Sequence, residues 1–339
     1  MPEYAGDACI LLDFEGVMGE CVVYVNGVLA ARNESGYTGF TFDISDYVLP
    51  GQKNMIVVSV NNTRWEGWWY EGAGIYRPVQ IFIKPATHFG YMKTFVRPEL
   101  KDGNWNVRLT SILENTEGEV TNASIRARIL NTNGTCVAEM DTNGEVPAYG
   151  EAEFAASVAL NAPELWSPDR PYLYTLENNL IIDGECVETE SIRFGIRDIQ
   201  WTDHGMFING VLTPVRGICC HQDHVGVGIA VGKSLMRYRI AKLKEMGCNA
   251  YRCAHYCPTQ YLLDVCNELG MRGMSENRHF RSSDEVMQQL DYMTLSGRNH
   301  PSVFLYSLFN EEMPWQSEPR GRKVAARMMR RVHKYDDTR

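Results

Sequence analysis

At 339 residues the chain is long enough for two or three domains, each with its own core. Hydrophobic residues make up 44% and charged residues 22%, ordinary for a soluble globular protein, and a net charge of −9 excludes the basic face a nucleic-acid partner requires. No apolar run approaches the ~18 residues of a membrane span, and the first seven residues lack the basic start and apolar core of a signal peptide.

Of the ten cysteines, Cys219 and Cys220 are adjacent, and Cys248, Cys253, Cys257 and Cys266 show no CxxC spacing. Several lie in apolar segments, where a free thiol behaves as a small hydrophobe. Reduced, buried thiols in a cytosolic chain are the expectation, with zinc or disulfides as the alternative.

Residues 10–84 read as β throughout. Strands are expected at 10–14, 21–25, 39–42, 55–60 and 79–83, punctuated by the turn dipeptides Asn26-Gly27 and Pro50-Gly51. Short strands at close spacing indicate a sandwich of jelly-roll type. Within it, segment 64–77 interleaves Trp65, Trp68, Trp69 and Tyr70 with Glu66, Glu71, Arg64 and Arg77. Aromatic faces for sugar C–H groups and planar partners for hydroxyls suit a carbohydrate site. A plug at a domain interface suits the same residues.

A second β region runs from about 87 to 197, alternating at 106–113, 124–130 and 152–160, with turns at Glu117-Gly118, Asn133-Gly134, Asn143-Gly144 and Asp183-Gly184. This is the grammar of an immunoglobulin-like sandwich. A structural spacer is its expected role.

Near Gly205 strands begin to alternate with helices. Strands are expected at 214–218, 248–252, 271–275 and 302–309, with helices at 234–246, 258–269, 283–295 and 318–335. Four consecutive βα units predict a parallel sheet with right-handed crossovers. Polar residues follow each strand: His221, Asp223 and His224; His255; Glu276, Asn277, Arg278 and His279; then Asn310, Glu311 and Glu312. Clusters at one edge of one sheet point to an active site, because α/β barrels place catalytic groups at the carboxyl ends of their strands. For Glu311 and Glu312 alone, a helix-capping role would explain the residues as well.

These motifs together resemble glycoside hydrolase family 2, the β-galactosidase/β-glucuronidase family. Gly72-Ala73-Gly74-Ile75-Tyr76-Arg77 is similar to its jelly-roll signature. Segments 216–224 and 249–256 are similar to its first two barrel strands, and Arg298-Asn299-His300-Pro301-Ser302-Val303 through Asn310-Glu311 to its acid/base segment. The resemblance implies a jelly roll at 1–85, an immunoglobulin-like sandwich at 86–198, and the first four βα units of a TIM barrel at 199–339.

It further implies a retaining β-glycosidase, most simply a β-galactosidase, acting on a β-linked oligosaccharide or glycoside. Glu311 would be the catalytic acid/base and Asn310 the partner of the sugar 2-hydroxyl. His221, Asp223, His255 and Trp69 would contact substrate, while Arg252, Glu276 and Asn277 would support the site. Glu312 has no matching role and is expected to face away, since adjacent strand residues alternate. β-Glucuronidase or β-mannosidase activity is the alternative within the family. A non-catalytic carbohydrate-binding protein is the alternative outside it.

Three departures qualify the resemblance. Ser275 stands where members have Asp. Phe280-Arg281-Ser282 stands where metal-binding β-galactosidases carry a carboxylate and a His, so no magnesium and no cofactor is expected. The barrel portion, from about 205 to 339, falls short of the roughly 250 residues of a whole barrel. The family's nucleophile belongs after a seventh strand, so the expectation is an internal fragment without activity of its own. Self-association is left open.

Overall fold

A computed structural model describes residues 8–63, 71–313 and 315–339. The first unit is a jelly-roll sandwich of antiparallel strands. One sheet has Cys9–Phe14 between Phe40–Asp43 and Val79–Lys84; the other has Glu20–Val25 between Val28–Asn33 and Ile56–Asn61. Ile10, Leu12 and Phe14 from one sheet meet Cys21, Val23 and Val25 from the other. The hairpin turn at Asn26-Gly27 has φ of 50° and 86°, the left-handed geometry that makes Asn-Gly favoured there.

The second unit is an immunoglobulin-like sandwich. Asn104–Asn115 pairs with Phe95–Lys101, Glu151–Leu160 and Thr87–Phe89, facing a sheet of Cys136–Val146, Thr121–Leu130, Tyr174–Ile182 and Glu185–Phe194. Alternation of apolar residues buries Val107, Leu109 and Leu113 against Ile125, Ile129, Leu176 and Leu180.

The third unit is the partial barrel. Its strands Gly217–Cys220, Ala250–Cys253, Arg272–Glu276 and Val303–Ser307 pair in parallel and in chain order. Helices α1 (Lys233–Glu245), α2 (Gln260–Leu269), α3 (Asp284–Gly297) and α4 (Pro319–His333) follow them in turn. Local chemistry sets the helix limits. Thr259 and Ser283 cap α2 and α3 by accepting from Leu262 and Val286 N–H, and Gly270 ends α2 at φ 65°.

Two expectations are corrected. The first barrel strand lies at Gly217–Cys220, later than 214–218: residues 213–216 lie in no strand and lead into it from a small antiparallel sheet, Ile199–Thr202, Gly205–Ile208 and Val211–Leu212, with the Thr213 and Pro214 carbonyls held by the Arg272 side chain instead of a strand partner. Met206 and Ile208 of that sheet pack on Phe304 and close the amino end of the barrel. The fourth strand stops at Ser307, short of Phe309. All ten cysteines are free, five of them buried. No helix among the described residues is long and apolar enough to cross a membrane.

Buried polar contacts join the units. The Arg77 guanidinium donates to the Glu15 and Tyr37 carbonyls within the jelly roll, and to Gln222 Oε1 and the Cys257 carbonyl of the barrel, both at 2.9 Å. Glu15 Oε1 accepts from Gln260 N–H at 2.6 Å, a carboxylate against the positive end of α2. Trp166, fully buried, donates from Nε1 to the Asn267 carbonyl at 2.9 Å.

The turn before the fourth strand holds a buried neutral imidazole. His300 Nδ1 accepts from Asn267 Nδ2 at 2.7 Å, so Nε2 carries the proton and donates to Gln260 Oε1 at 3.1 Å. Burial pushes its pKa from 6.5 down to about 3. An unfolded chain therefore takes up a proton near pH 6.5 that the folded chain refuses until about 3, so stability is lost as pH is lowered through that window. Urea midpoints between pH 7 and 4 should give a slope shallower in His300→Gln than in wild type, by about 1.4 kcal/mol per pH unit below 6. Equal slopes would mean that His300 titrates normally.

Candidate active site

The carboxyl ends of the four barrel strands converge on one buried charge. Glu276, the last residue of the third strand, is 0% exposed. Its Oε2 accepts from Arg252 Nε at 2.8 Å, and its Oε1 is bonded to His255 Nδ1. Arg252 comes from the second strand, where its position pairs with Met274 of the third. Its Nη2 reaches on to Asn310 Oδ1 at 2.7 Å. One guanidinium thus ties the second, third and fourth strand ends together, as a planar fork with fixed donor directions can.

The bond from Arg252 fixes which way the Asn310 amide points. With Oδ1 occupied, Nδ2 is the group presented to a ligand. His221 follows the first strand, and its ring lies 5.7 Å from that of His255, edge to face. Arg239 of α1 holds that exit by donating to the His221 and Asp223 carbonyls at 3.2 and 3.0 Å. Burial holds His255 below the usual imidazole pKa, against the opposing pull of Glu276.

Glu311 is exposed beside Asn310, with φ 38°. Its side chain has no hydrogen bond or ion pair among the described residues. Glu312 is turned toward the third-strand loop, where Arg281 Nη1 lies 3.1 Å from Oε2 and Phe280 N–H 3.5 Å from Oε1. Strand alternation does not explain this, because the strand has ended. The left-handed backbone at Glu311 sends the two side chains different ways.

The remaining expected residues divide. Asn277 donates to the His279 and Leu308 carbonyls at 3.0 and 3.1 Å, lacing two strand exits together beneath the site. Asp223 is exposed, and its carboxylate makes no contact with the Arg252–Glu276 group. Trp69 and the rest of Arg64 to Tyr70 lie outside the described residues. Ser275 is 1% exposed and its hydroxyl has no hydrogen-bond partner among the described residues, so it does not replace the contacts an Asp would make there.

One contact at the barrel mouth has no signal in the sequence. Glu71 Oε1 of the jelly roll accepts from Tyr37 OH at 3.0 Å and from Arg278 Nη1 at 3.2 Å. Arg278 also stacks over the Tyr37 ring at 5.6 Å. This buried pair anchors the jelly roll two residues from Glu276.

Three family models match successive parts of the chain. They are Glycosyl hydrolases family 2, sugar binding domain, at 2–85; Glycosyl hydrolases family 2 at 88–197; and Glycosyl hydrolases family 2, TIM barrel domain, at 199–281. Beta-galactosidase BoGH2A of Bacteroides ovatus is 32% identical over 324 residues, covering 91% of this chain and 38% of that protein. Beta-glucuronidase of Bacteroides fragilis is 26% identical over 345 residues, covering 91% of this chain and 48% of that one. The solved structure of a glycosyl hydrolase family 2 member from Bacteroides cellulosilyticus has a TM-score of 0.94 at 30% identity, covering 100% of this chain and 48% of that chain.

A jelly roll, an immunoglobulin-like sandwich and a barrel whose strand ends carry an Asn-Glu pair define a glycoside hydrolase architecture. The chain belongs to glycosyl hydrolase family 2. It spans less than half the length of these relatives.

The geometry makes Glu276 and Arg252 a coupled pair. Glu276→Gln should lower unfolding free energy by about 3 kcal/mol, since it leaves Arg252 without its counter-charge. Arg252→Gln in the same background should cost far less than it does alone. Additive losses in denaturant unfolding would show that the two residues stabilise the fold independently.

Proposed function

We propose that this chain supplies the acid/base half of a retaining β-glycosidase acting on terminal β-galactosides, with domains dividing near residues 85 and 198. The observation that carries the reading is the pairing of an Asn310 amide locked by Arg252 with an unengaged Glu311 carboxyl beside it. Glu311 protonates the glycosidic oxygen as the bond breaks, then takes a proton from the incoming water. Asn310 Nδ2 donates to the sugar 2-hydroxyl, a bond that strengthens as the ring approaches an oxocarbenium ion. His221 and His255 meet further hydroxyls. Trp69 packs on the sugar face, an assignment that rests on sequence alone.

A retaining mechanism needs a second carboxylate about 5–5.5 Å from the first. Glu276 is committed to Arg252 and His255, and Glu312 to Arg281, so neither serves as nucleophile. The nucleophile belongs to barrel strands other than these four. The relatives' names divide between galactoside and glucuronide hydrolysis, so the sugar is the finer part of the proposal.

In the longest protein that carries this sequence, Glu311→Gln should slow hydrolysis of lactose by about 10²–10⁴-fold. Azide should restore turnover of a nitrophenyl galactoside by that variant. A larger loss in Glu312→Gln would move the acid/base role by one residue, and faster turnover of the matching glucuronide would reassign the sugar.

The 339-residue chain by itself should release no nitrophenol from a nitrophenyl galactoside above a Glu311→Ala control. Turnover that vanishes in that control would mean Glu276 or a second copy provides the nucleophile.

A further inference from the structure

At Glu311 the backbone lies in the left-handed region, with φ 38°. A residue with a Cβ keeps that conformation only where its surroundings hold it, because the Cβ crowds the carbonyl oxygen that follows. The Glu311 carbonyl accepts from Met313 N–H at 2.9 Å, which closes a tight turn. That turn is anchored to the neighbouring strand exit through its middle residue, Glu312.

Glu312 Oε2 lies 3.1 Å from Arg281 Nη1, and its Oε1 accepts from Phe280 N–H at 3.5 Å, with His279 Nδ1 farther off at 3.9 Å. Arg281 is held in turn. Its Nη1 also donates to the Phe280 carbonyl at 2.8 Å, and its guanidinium lies 4.7 Å from the centre of the Trp315 ring, as does that of Arg320 of α4. Trp315 is seated against α4, where a Cβ at Gly321 would collide with its carbonyl oxygen. Phe280 stacks on Phe309 at 3.7 Å, just ahead of Asn310. The exits of the third and fourth strands are thus one packed unit with Arg281 at its centre.

We infer that Arg281 is a positioning residue for acid/base catalysis: it holds Glu312, and so keeps the turn that aims the Glu311 carboxyl at the glycosidic oxygen. The inference rests on the acid/base assignment of Glu311 made above. A planar guanidinium meets a carboxylate, a carbonyl and an aromatic face at once, which an ammonium does not. Without it, Glu312 is an unanchored carboxylate and the backbone at Glu311 is free to relax to the right-handed region, turning its side chain away. Misplacement of a catalytic group by about 1 Å costs up to ~10²-fold in rate.

The test is steady-state kinetics on the longest protein that carries this sequence, comparing methyl galactoside with dinitrophenyl galactoside, or the matching glucuronides if those turn over faster. Dinitrophenolate leaves without a proton, so only the methyl glycoside demands a well-aimed acid. Arg281→Gln should lower kcat/KM roughly 10–100-fold for the methyl glycoside and less than about threefold for the dinitrophenyl one. The Arg281 side chain is 45% exposed, so its loss should leave the fold intact. Glu312→Gln gives a second reading and should show the same split, smaller than that of Glu311→Gln. The double variant should be no worse than the worse single one, since both remove the same contact. Equal losses on the two glycosides, or no loss on either, would overturn the inference. Glu311→Gln is assayed alongside to separate the two readings. Its full activity on the methyl glycoside would remove the Glu311 assignment and this inference with it. Its expected loss, beside an Arg281→Gln enzyme that shows no split, would overturn the role of Arg281 alone.

Discussion

Glu276 is a carboxylate with no access to water, and the arrangement of the barrel mouth follows from keeping it satisfied. An isolated buried charge of that kind costs several kcal/mol, so each oxygen must find a cationic or donor partner. Arg252 and His255 fill that need from the neighbouring strand. Having reached Glu276, Arg252 has a second edge left, and that edge meets Asn310. The amide that would face substrate is therefore oriented through a chain of bonds that starts from a desolvated acid.

This chain holds only if three strand ends stay level, and the fold enforces that from two sides. Beneath the strands, the fully buried Arg272 donates to the Thr213 and Pro214 carbonyls and lies 5.5 Å from the Phe304 ring, tying the small sheet's exit to the barrel floor. On the flank, Arg77, Glu15 and Glu71 of the jelly roll reach into the barrel loops. Each is a buried or half-buried polar bond between units, which a shift of either unit would leave unsatisfied. The sugar-binding-like unit is docked in one orientation, with Glu71 held beside the third strand end.

Much of this was legible beforehand because its signals are local. Thr259, Ser283 and Gly270 mark helix ends by their own side-chain or backbone chemistry, so four βα units could be counted without a structure. The polar residues after each strand were legible for the same reason. What escaped depends on contacts distant in sequence. The antiparallel strands at 199–212 contain too few residues to show a period, and the Thr213 and Pro214 carbonyls just before the first barrel strand are taken by the side chain of Arg272, far along the chain. The Glu71–Arg278 pair joins two domains, and neither residue's neighbours hint at the other. The divergence of Glu311 and Glu312 comes from one left-handed backbone angle that strand alternation does not anticipate.

The central claim is that Glu311 and Asn310 act together on one sugar. It is tested most directly by a crystal structure of the longest protein carrying this sequence, in its Glu311→Gln form, with an intact β-galactoside bound. The account predicts the side chain at 311 within about 3 Å of the glycosidic oxygen and Asn310 Nδ2 at a similar distance from the 2-hydroxyl. Arg252 should still bridge Asn310 and Glu276. A sugar whose glycosidic oxygen faces Glu312, or whose 2-hydroxyl lies beyond the reach of Asn310, would contradict it.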